Sequence, residues 1–152
     1  MPEKRILGVD FGLQRIGIAV SDPMNIIAQG VRVIQHTPNA VQEIKRLADD
    51  YDADVIVVGL PLNLQGNKGL MAETAGKFIA ELKHVTGREI VPWDERFTSK
   101  SAKDTLLMMG TSKKQRRNKE QIDLLASAII LQGYLDRRKY LMARGQDGGR
   151  EQ

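Results

Sequence analysis

Asp54-Val-Ile-Val-Val-Gly59 is a nearly unbroken apolar run, the pattern of a strand buried on both faces inside a parallel sheet. A parallel strand needs a crossover, and the residues before it supply one. Thr37-Pro38 reads as a helix start, a hydroxyl cap with proline at the first helical position. Val41, Ile44, Leu47, Ala48 and Tyr51 follow at helical spacing. Before the helix the period is two. Arg5-Ile-Leu-Gly-Val-Asp10 is a short apolar strand, and Phe11-Gly-Leu-Gln14 is a turn. Arg15 to Ser21 places Ile16, Ile18 and Val20 on one face. Asn25 to Gln35 is another β-rich stretch, broken by Gly30, which suggests a bulge or a third strand. Three strands with short connections predict an antiparallel meander.

C-terminal to the apolar run, residues 60–69 read as a loop and Leu70 to Val85 as a helix ended by Thr86-Gly87. Arg88 to Trp93 is a strand leading into Asp94-Glu95-Arg96. A helix from Thr98 is stopped by Gly110. A polar basic loop from Thr111 to Asn118 leads to a last helix from about Lys119 to Leu141, with Ile122, Leu125, Ala126, Ile129 and Leu135 as its apolar stripe. The order is βββ-α-β-α-β-α-α. Right-handed crossovers then give an α/β fold with one five-stranded mixed sheet of order 3-2-1-4-5 and helices on both faces, 54–59 pairing with 5–10. Residues 1–142 are expected to form a single domain, and the Gly-rich, charged residues 143–152 a disordered tail.

The chain's 152 residues suit one domain. There is no Cys, which excludes disulfides, Cys-ligated zinc and a cysteine nucleophile. No signal-peptide pattern precedes the first strand and no apolar stretch approaches membrane-span length, so the expectation is a soluble cytoplasmic protein without a membrane partner. The net charge of +4 is unevenly spread. Residues 1–76 hold 7 basic and 9 acidic side chains, whereas residues 77–152 hold 16 basic and 10 acidic. A basic half suggests a polyanion partner.

Three acids stand out by context. Asp10 closes an apolar strand, Glu95 follows the strand ending at Trp93, and Asp123 sits in the second turn of the last helix beside Ile122, read as core-facing. In the predicted topology Asp10 and Glu95 face each other at strand ends and the helix brings Asp123 over them. Carboxylates converging without basic neighbours repel unless cations bind between them. Oxygen donors select Mg²⁺ or Mn²⁺, as one or two ions, and such ions assist phosphodiester hydrolysis.

The blocks occur in a telling order: Gly8-Val-Asp10-Phe-Gly12, Arg15-Ile-Gly17-Ile-Ala19-Val-Ser21-Asp22, Val58-Gly59-Leu60-Pro61-Leu62, Asp94-Glu95-Arg96-Phe97-Thr98-Ser99 and Ile122-Asp123-Leu-Leu-Ala126. With them, from about Arg5 to Tyr140, the chain resembles the YqgF family, also called RuvX, of RNase H-like proteins. Phe97 stands where Leu is frequent and Ser127 where Ala is frequent. The resemblance implies an RNase H-like nuclease domain with Asp10, Glu95 and Asp123 as catalytic and metal-binding triad, and Asp94 is the nearest candidate for a fourth acid. It also implies processing of precursor 16S ribosomal RNA during ribosome biogenesis, with the ribosomal particle as a candidate setting. An older family reading is a Holliday-junction resolvase acting on DNA junctions, which would require a stable dimer. A third reading keeps the fold as a non-catalytic ribosome-assembly factor. A monomer or weak homodimer is expected.

Lys113, Lys114, Arg116, Arg117 and Lys119 make a basic segment beside the Asp123 helix, read as a phosphate grip against the alternative of a solvated connector. Arg15 and Arg96 are read either as phosphate ligands or as partners of Asp22 and Asp94. Trp93 is read as core, and His36 and His84 as surface or capping residues. With seven aromatics, binding driven by base stacking is disfavoured. No Gly-Lys-Ser/Thr follows Gly59, which excludes a P-loop, and 152 residues are too few to supply the second domain expected of an actin-like kinase.

Overall fold

The computed structural model describes residues 4–60, 70–94 and 119–150, with side chains for 4–60, 73–94 and 120–145. Its elements are β1 (Arg5–Asp10), β2 (Arg15–Ser21), β3 (Ala28–Gln35), α1 (Ala40–Asp50), β4 (Ala53–Leu60), α2 (Leu70–Thr86), β5 (Glu89–Asp94) and α3 (Lys119–Arg150). The five strands form one sheet of order β3-β2-β1-β4-β5. β2 is antiparallel to β1 and β3, whereas β4 runs parallel to β1 and β5 parallel to β4. The order expected from the sequence holds, with the 54–59 run beside the central strand. Gly30 lies at a bulge within β3: Ile18 faces Arg32 and Ala19 faces Gly30, leaving Val31 extra.

Several boundaries differ from expectation. α1 begins at Ala40 with Asn39 as its N-cap, not at Thr37-Pro38. Those residues are used in a preceding turn, where the Thr37 carbonyl accepts from the Ala40 N–H and the Thr37 hydroxyl oxygen accepts from the Asn39 N–H. β3 starts at Ala28 because Asp22 organises the residues before it, its carboxylate accepting from the N–H groups of Met24, Ile26 and Ile27. α2 ends as expected, at Gly87 with φ of 65°, its N–H donating to the Lys83 carbonyl. α3 runs to Arg150, past Leu141. No proline interrupts that stretch, and Arg144 lies over the Tyr140 ring one turn back. The helix expected from Thr98 to Met109 lies outside the described residues. Among those described, no helix is long and apolar enough to cross a membrane.

Alternation along the strands separates two packed layers. Leu7, Val9, Ile16, Ile18, Val20, Ile56 and Val58 point to one face, where α1 contributes Val41, Ile44 and Leu47 and α2 contributes Ala75, Phe78 and Leu82. Ile6, Ala19, Val57 and Trp93 point to the other face, under Ala128, Ile130, Leu131 and Leu135 of α3.

The α3 face is built largely on glycine. A Cβ at Gly30 would strike the Leu124 backbone, one at Gly17 the Asp123 carbonyl, one at Gly8 the Leu131 side chain and one at Gly59 the Ile130 side chain. The pairing registers put these glycines in two rows across the sheet, Gly17–Asp10–Gly59–Trp93 and Gly30–Ala19–Gly8–Val57. Over the first row lie Asp123, Ser127, Ile130 and Tyr134, and over the second lie Leu124, Ala128, Leu131 and Leu135. Both sets follow helical spacing, so the helix settles into a trough cut by missing side chains. This corrects the stripe expected from sequence: Ile122 is 46% exposed, and Leu125, Ala126 and Ile129 are only half-buried. The segment is rich in Leu, Ile and Ala all round, so periodicity alone does not choose its inner face.

Candidate functional site

The acid at the end of β1 stands in the first of these rows. Asp10 is register partner to Gly17 of β2 on one side and Gly59 of β4 on the other. It shares the parity of Ile6 and Gly8, which places it on the α3 face. Its neighbours on both sides carry no side chain. With strands about 4.8 Å apart, the space beside Asp10 is left to whatever comes from above the sheet.

What comes from above is Asp123. Its backbone carbonyl rests on Gly17, so the first turns of α3 bring this residue to the neighbour of Asp10. Ser127, one turn on, is fully buried at the same contact, its hydroxyl donating to the Leu124 carbonyl at 2.8 Å. A larger side chain at either Gly17 or Ser127 would lift the helix and Asp123 with it. Ser127 was singled out in the sequence only as a departure from a family pattern. Its role as a spacer becomes visible only with the helix docked.

The corner also holds a cation. Arg15, at the start of β2, donates from Nε to Asp123 Oδ2 at 2.8 Å, with side chains 34% and 23% exposed. Its partner is therefore Asp123 and not Asp22, whose carboxylate accepts instead from the backbone of its own loop. Partial burial raises the Asp22 pKa, but the backbone N–H groups of Ile27, Ile26 and Met24 outweigh it and hold the carboxyl below its ordinary range. The expectation of carboxylates without basic neighbours is corrected accordingly. The antiparallel turn brings residue 15 back past residue 10, to the end of the sheet where Asp123 docks.

Asp94 ends β5 at the same end of the sheet, beside Leu60. Val91 and Trp93 belong to the α3 face and Ile90 to the other. Alternation assigns Asp94 to the α1–α2 side, away from Asp10, which removes it as the nearest candidate for a fourth acid. Glu95, Arg96, Lys113, Lys114, Arg116 and Arg117 lie outside the described residues, as do residues 61–69, and Lys119 is the first residue of α3. Among the described residues, no group of three or more His, Asp or Glu is arranged to hold a metal. Two of the three predicted acids, Asp10 and Asp123, are brought to one corner.

Trp93 is core, 6% exposed and edge-on to Tyr134 with ring centroids 5.7 Å apart. Burial raises the Tyr134 phenol above its ordinary pKa. His84 is exposed in the last turn of α2. His36 is not a surface residue: it is half-buried and packs among Phe11 and Phe78 at the turn between β1 and β2.

Comparison with known proteins agrees with this architecture. The model of a family described as "RuvX: Holliday junction resolvase" matches residues 4–137. A Desulfitobacterium hafniense protein named "Putative pre-16S rRNA nuclease" is 42% identical over 132 residues, which cover 87% of this chain and 92% of that one. A Clostridium beijerinckii protein of the same name is 42% identical over 134 residues, 87% of this chain and 96% of that one. Among solved structures, Thermus thermophilus RuvC in complex with a Holliday-junction substrate aligns with a TM-score of 0.56 at 12% identity, covering 90% of this chain and 96% of RuvC. The fowlpox virus Holliday junction resolvase aligns with a TM-score of 0.54 at 14% identity, covering 88% of this chain and 99% of the resolvase. At such identities the structural matches speak for the fold alone, which is RNase H-like. The family match over 134 consecutive residues and the relatives at 42% identity go further: the chain belongs to the RuvX family.

Proposed function

We propose that this chain is a divalent-metal-dependent nuclease that hydrolyses phosphodiester bonds in structured RNA, at the 5′ end of precursor 16S ribosomal RNA in the cytoplasm. The observation that carries the reading is the meeting of Asp10 and Asp123 at Gly17, from elements far apart in the chain. The glycine trough that brings them together leaves no apolar side chain on either side of Asp10. Glu95, directly after β5 in sequence, is the third acid of the proposal.

The donor chemistry fits Mg²⁺ or Mn²⁺. Such ions bind to one or two carboxylates and fill their remaining positions with water and substrate phosphate. Asp10 and Asp123, with Glu95, would hold one or two ions, which when bound supply positive charge to the phosphate and a more acidic water. The chain's own residues do the rest. Arg15 fixes the rotamer of Asp123 by its bond to Oδ2 and lowers the repulsion between the two carboxylates. That bond uses one of the five guanidinium N–H donors, so Arg15 also suits a phosphate oxygen. Arg96, Lys113, Lys114, Arg116, Arg117 and Lys119 grip the RNA backbone by charge, which is why cleavage should weaken with salt.

RNA is favoured as substrate because the relatives at 42% identity carry a ribosomal RNA name. The family description favours four-way DNA junctions as the second reading. The two separate in one assay: purified protein with Mg²⁺ or Mn²⁺ on precursor 16S rRNA, single-stranded RNA and four-way DNA junctions, with chromatography for oligomeric state. Metal-dependent cleavage near the precursor 5′ end by a monomer or weak dimer is expected. Symmetric cutting of junctions alone by a stable dimer would assign the resolvase reading instead. RNA binding without cleavage under any metal would assign an assembly factor.

A further inference from the structure

His36 stands just past β3, on the α1–α2 side of the sheet, yet it grips the turn that separates Asp10 from Arg15. Its main-chain N–H donates to the Gln14 carbonyl at 2.9 Å, and its ring Nδ1 lies 2.7 Å from the Gly12 carbonyl oxygen. A carbonyl oxygen only accepts, so Nδ1 carries the proton in this contact. The ring is wedged edge-on against Phe11 at 5.3 Å and Phe78 at 5.9 Å, and those two rings are 5.0 Å apart. Phe11 and Phe78 are buried, so the wedge is anchored in the core between the sheet and α2.

The turn is closed from the inside too. A Cβ at Gly12 would collide with the Arg15 carbonyl, so the chain doubles back there at backbone contact. Only Phe11, Gly12, Leu13 and Gln14 separate Asp10 from Arg15, and Arg15 is bonded to Asp123. Movement of this turn therefore shifts Asp10 and the Arg15–Asp123 pair relative to each other.

We propose that His36 is a positioning residue: its ring donor on Gly12 holds the β1–β2 turn and thereby sets the spacing of the Asp10 and Asp123 carboxylates. The proposal rests on the nuclease reading above. It assigns no proton transfer to His36, because the neutral Nδ1–H tautomer and the imidazolium both donate to Gly12.

The test uses the full chain in two variants. His36→Phe keeps the aromatic wedge and removes the donor, whereas His36→Asn restores a donor near the Nδ1 position without the ring. Amide hydrogen exchange of the 11–15 segment reads the turn directly and requires no activity. Steady-state cleavage of precursor rRNA reads the site. In His36→Phe, exchange of the segment should accelerate at least about tenfold with melting nearly unchanged. Its kcat should fall about tenfold at constant KM, the mark of a displaced group, and His36→Asn should recover part of it. Unchanged exchange in His36→Phe would remove the clamp. Faster exchange with wild-type kcat, or a kcat loss matched by loss of folded protein, would remove its link to the site. A wild-type chain that cleaves no substrate would sink the nuclease reading and the positioning role together, whereas wild-type cleavage untouched by His36→Phe sinks the positioning role alone.

Discussion

The two faces of the sheet are packed by opposite means. Toward α1 and α2 the strands present Leu7, Ile16, Ile18 and Ile56, all fully buried, and the helices answer with Ile44 and Leu82. Toward α3 the same strands present Gly8, Gly17 and Gly59, and the helix comes down until its backbone meets the sheet. The first face buries large side chains, each contributing about 1.5–3 kcal/mol. The second gives up such contacts around Asp10 and gains position, bringing Asp123 to the row in which Asp10 stands. Stability and placement thus lie on different sides of one sheet, and substitutions on the two sides should fail in different ways.

The largest stability loss belongs to the α1–α2 face. Ile44→Ala should cost about 2–5 kcal/mol by lost burial and an unfilled cavity. Denaturant titration measures that cost, and kcat per folded molecule should stay near wild type. On the other face, Gly17→Ala should cost about 1–3 kcal/mol, because the added methyl meets the Asp123 carbonyl and only a shift of α3 relieves it. Its kcat should fall further than the folded fraction accounts for. Equal losses of stability and activity in both variants would erase the distinction between the faces. Gly76→Ala is the control: on the exposed side of α2, with nothing within 4 Å of the new methyl, it should stabilise by about 0.5–1 kcal/mol and leave cleavage alone.

The difference between the faces also explains what was legible in the sequence. The α1–α2 layer was readable because large apolar residues at period two and at helical spacing produce it directly. Strand order followed from the apolar 54–59 run and the handedness of crossovers. The α3 face was not readable in the same way. Its inner stripe starts Asp123, Ser127, Ile130, Tyr134, a set no hydrophobic pattern selects, and its counterpart is a set of glycines whose alignment exists only after the strands pair. Asp10 and Asp123 stood out as acids in apolar settings. The pairing of Arg15 with Asp123 was not legible because the two lie 108 residues apart, across a helix docking that local spacing does not encode. His36 was missed for a similar reason, since its ring partners come from the end of β1 and from α2.

The smallest effect concerns the loop at the opposite end of the sheet from Asp10. Asp22 has a lowered pKa in the folded chain, so its contribution is present above the unfolded carboxyl value near 4 and is lost as pH falls through the lower folded value. Melting temperatures followed from about pH 5 to pH 2 should therefore fall less steeply in Asp22→Asn than in the wild type. Parallel curves would mean that the loop's N–H groups do not favour the charged form.

The central claim is that the α3 face is shaped to place carboxylates and that those carboxylates serve phosphodiester chemistry, not the fold. Asp10→Asn tests it most directly, with thermal melting and metal-dependent cleavage of precursor 16S rRNA measured on the same preparation. Asn keeps the size of Asp10 and removes one negative charge from the corner that also holds Asp123, so melting should stay within about 2 °C of wild type. Cleavage should drop about a hundredfold or more while RNA binding persists. Full activity in Asp10→Asn with unchanged metal dependence, or a loss of activity that merely follows a lower melting temperature, would contradict the claim.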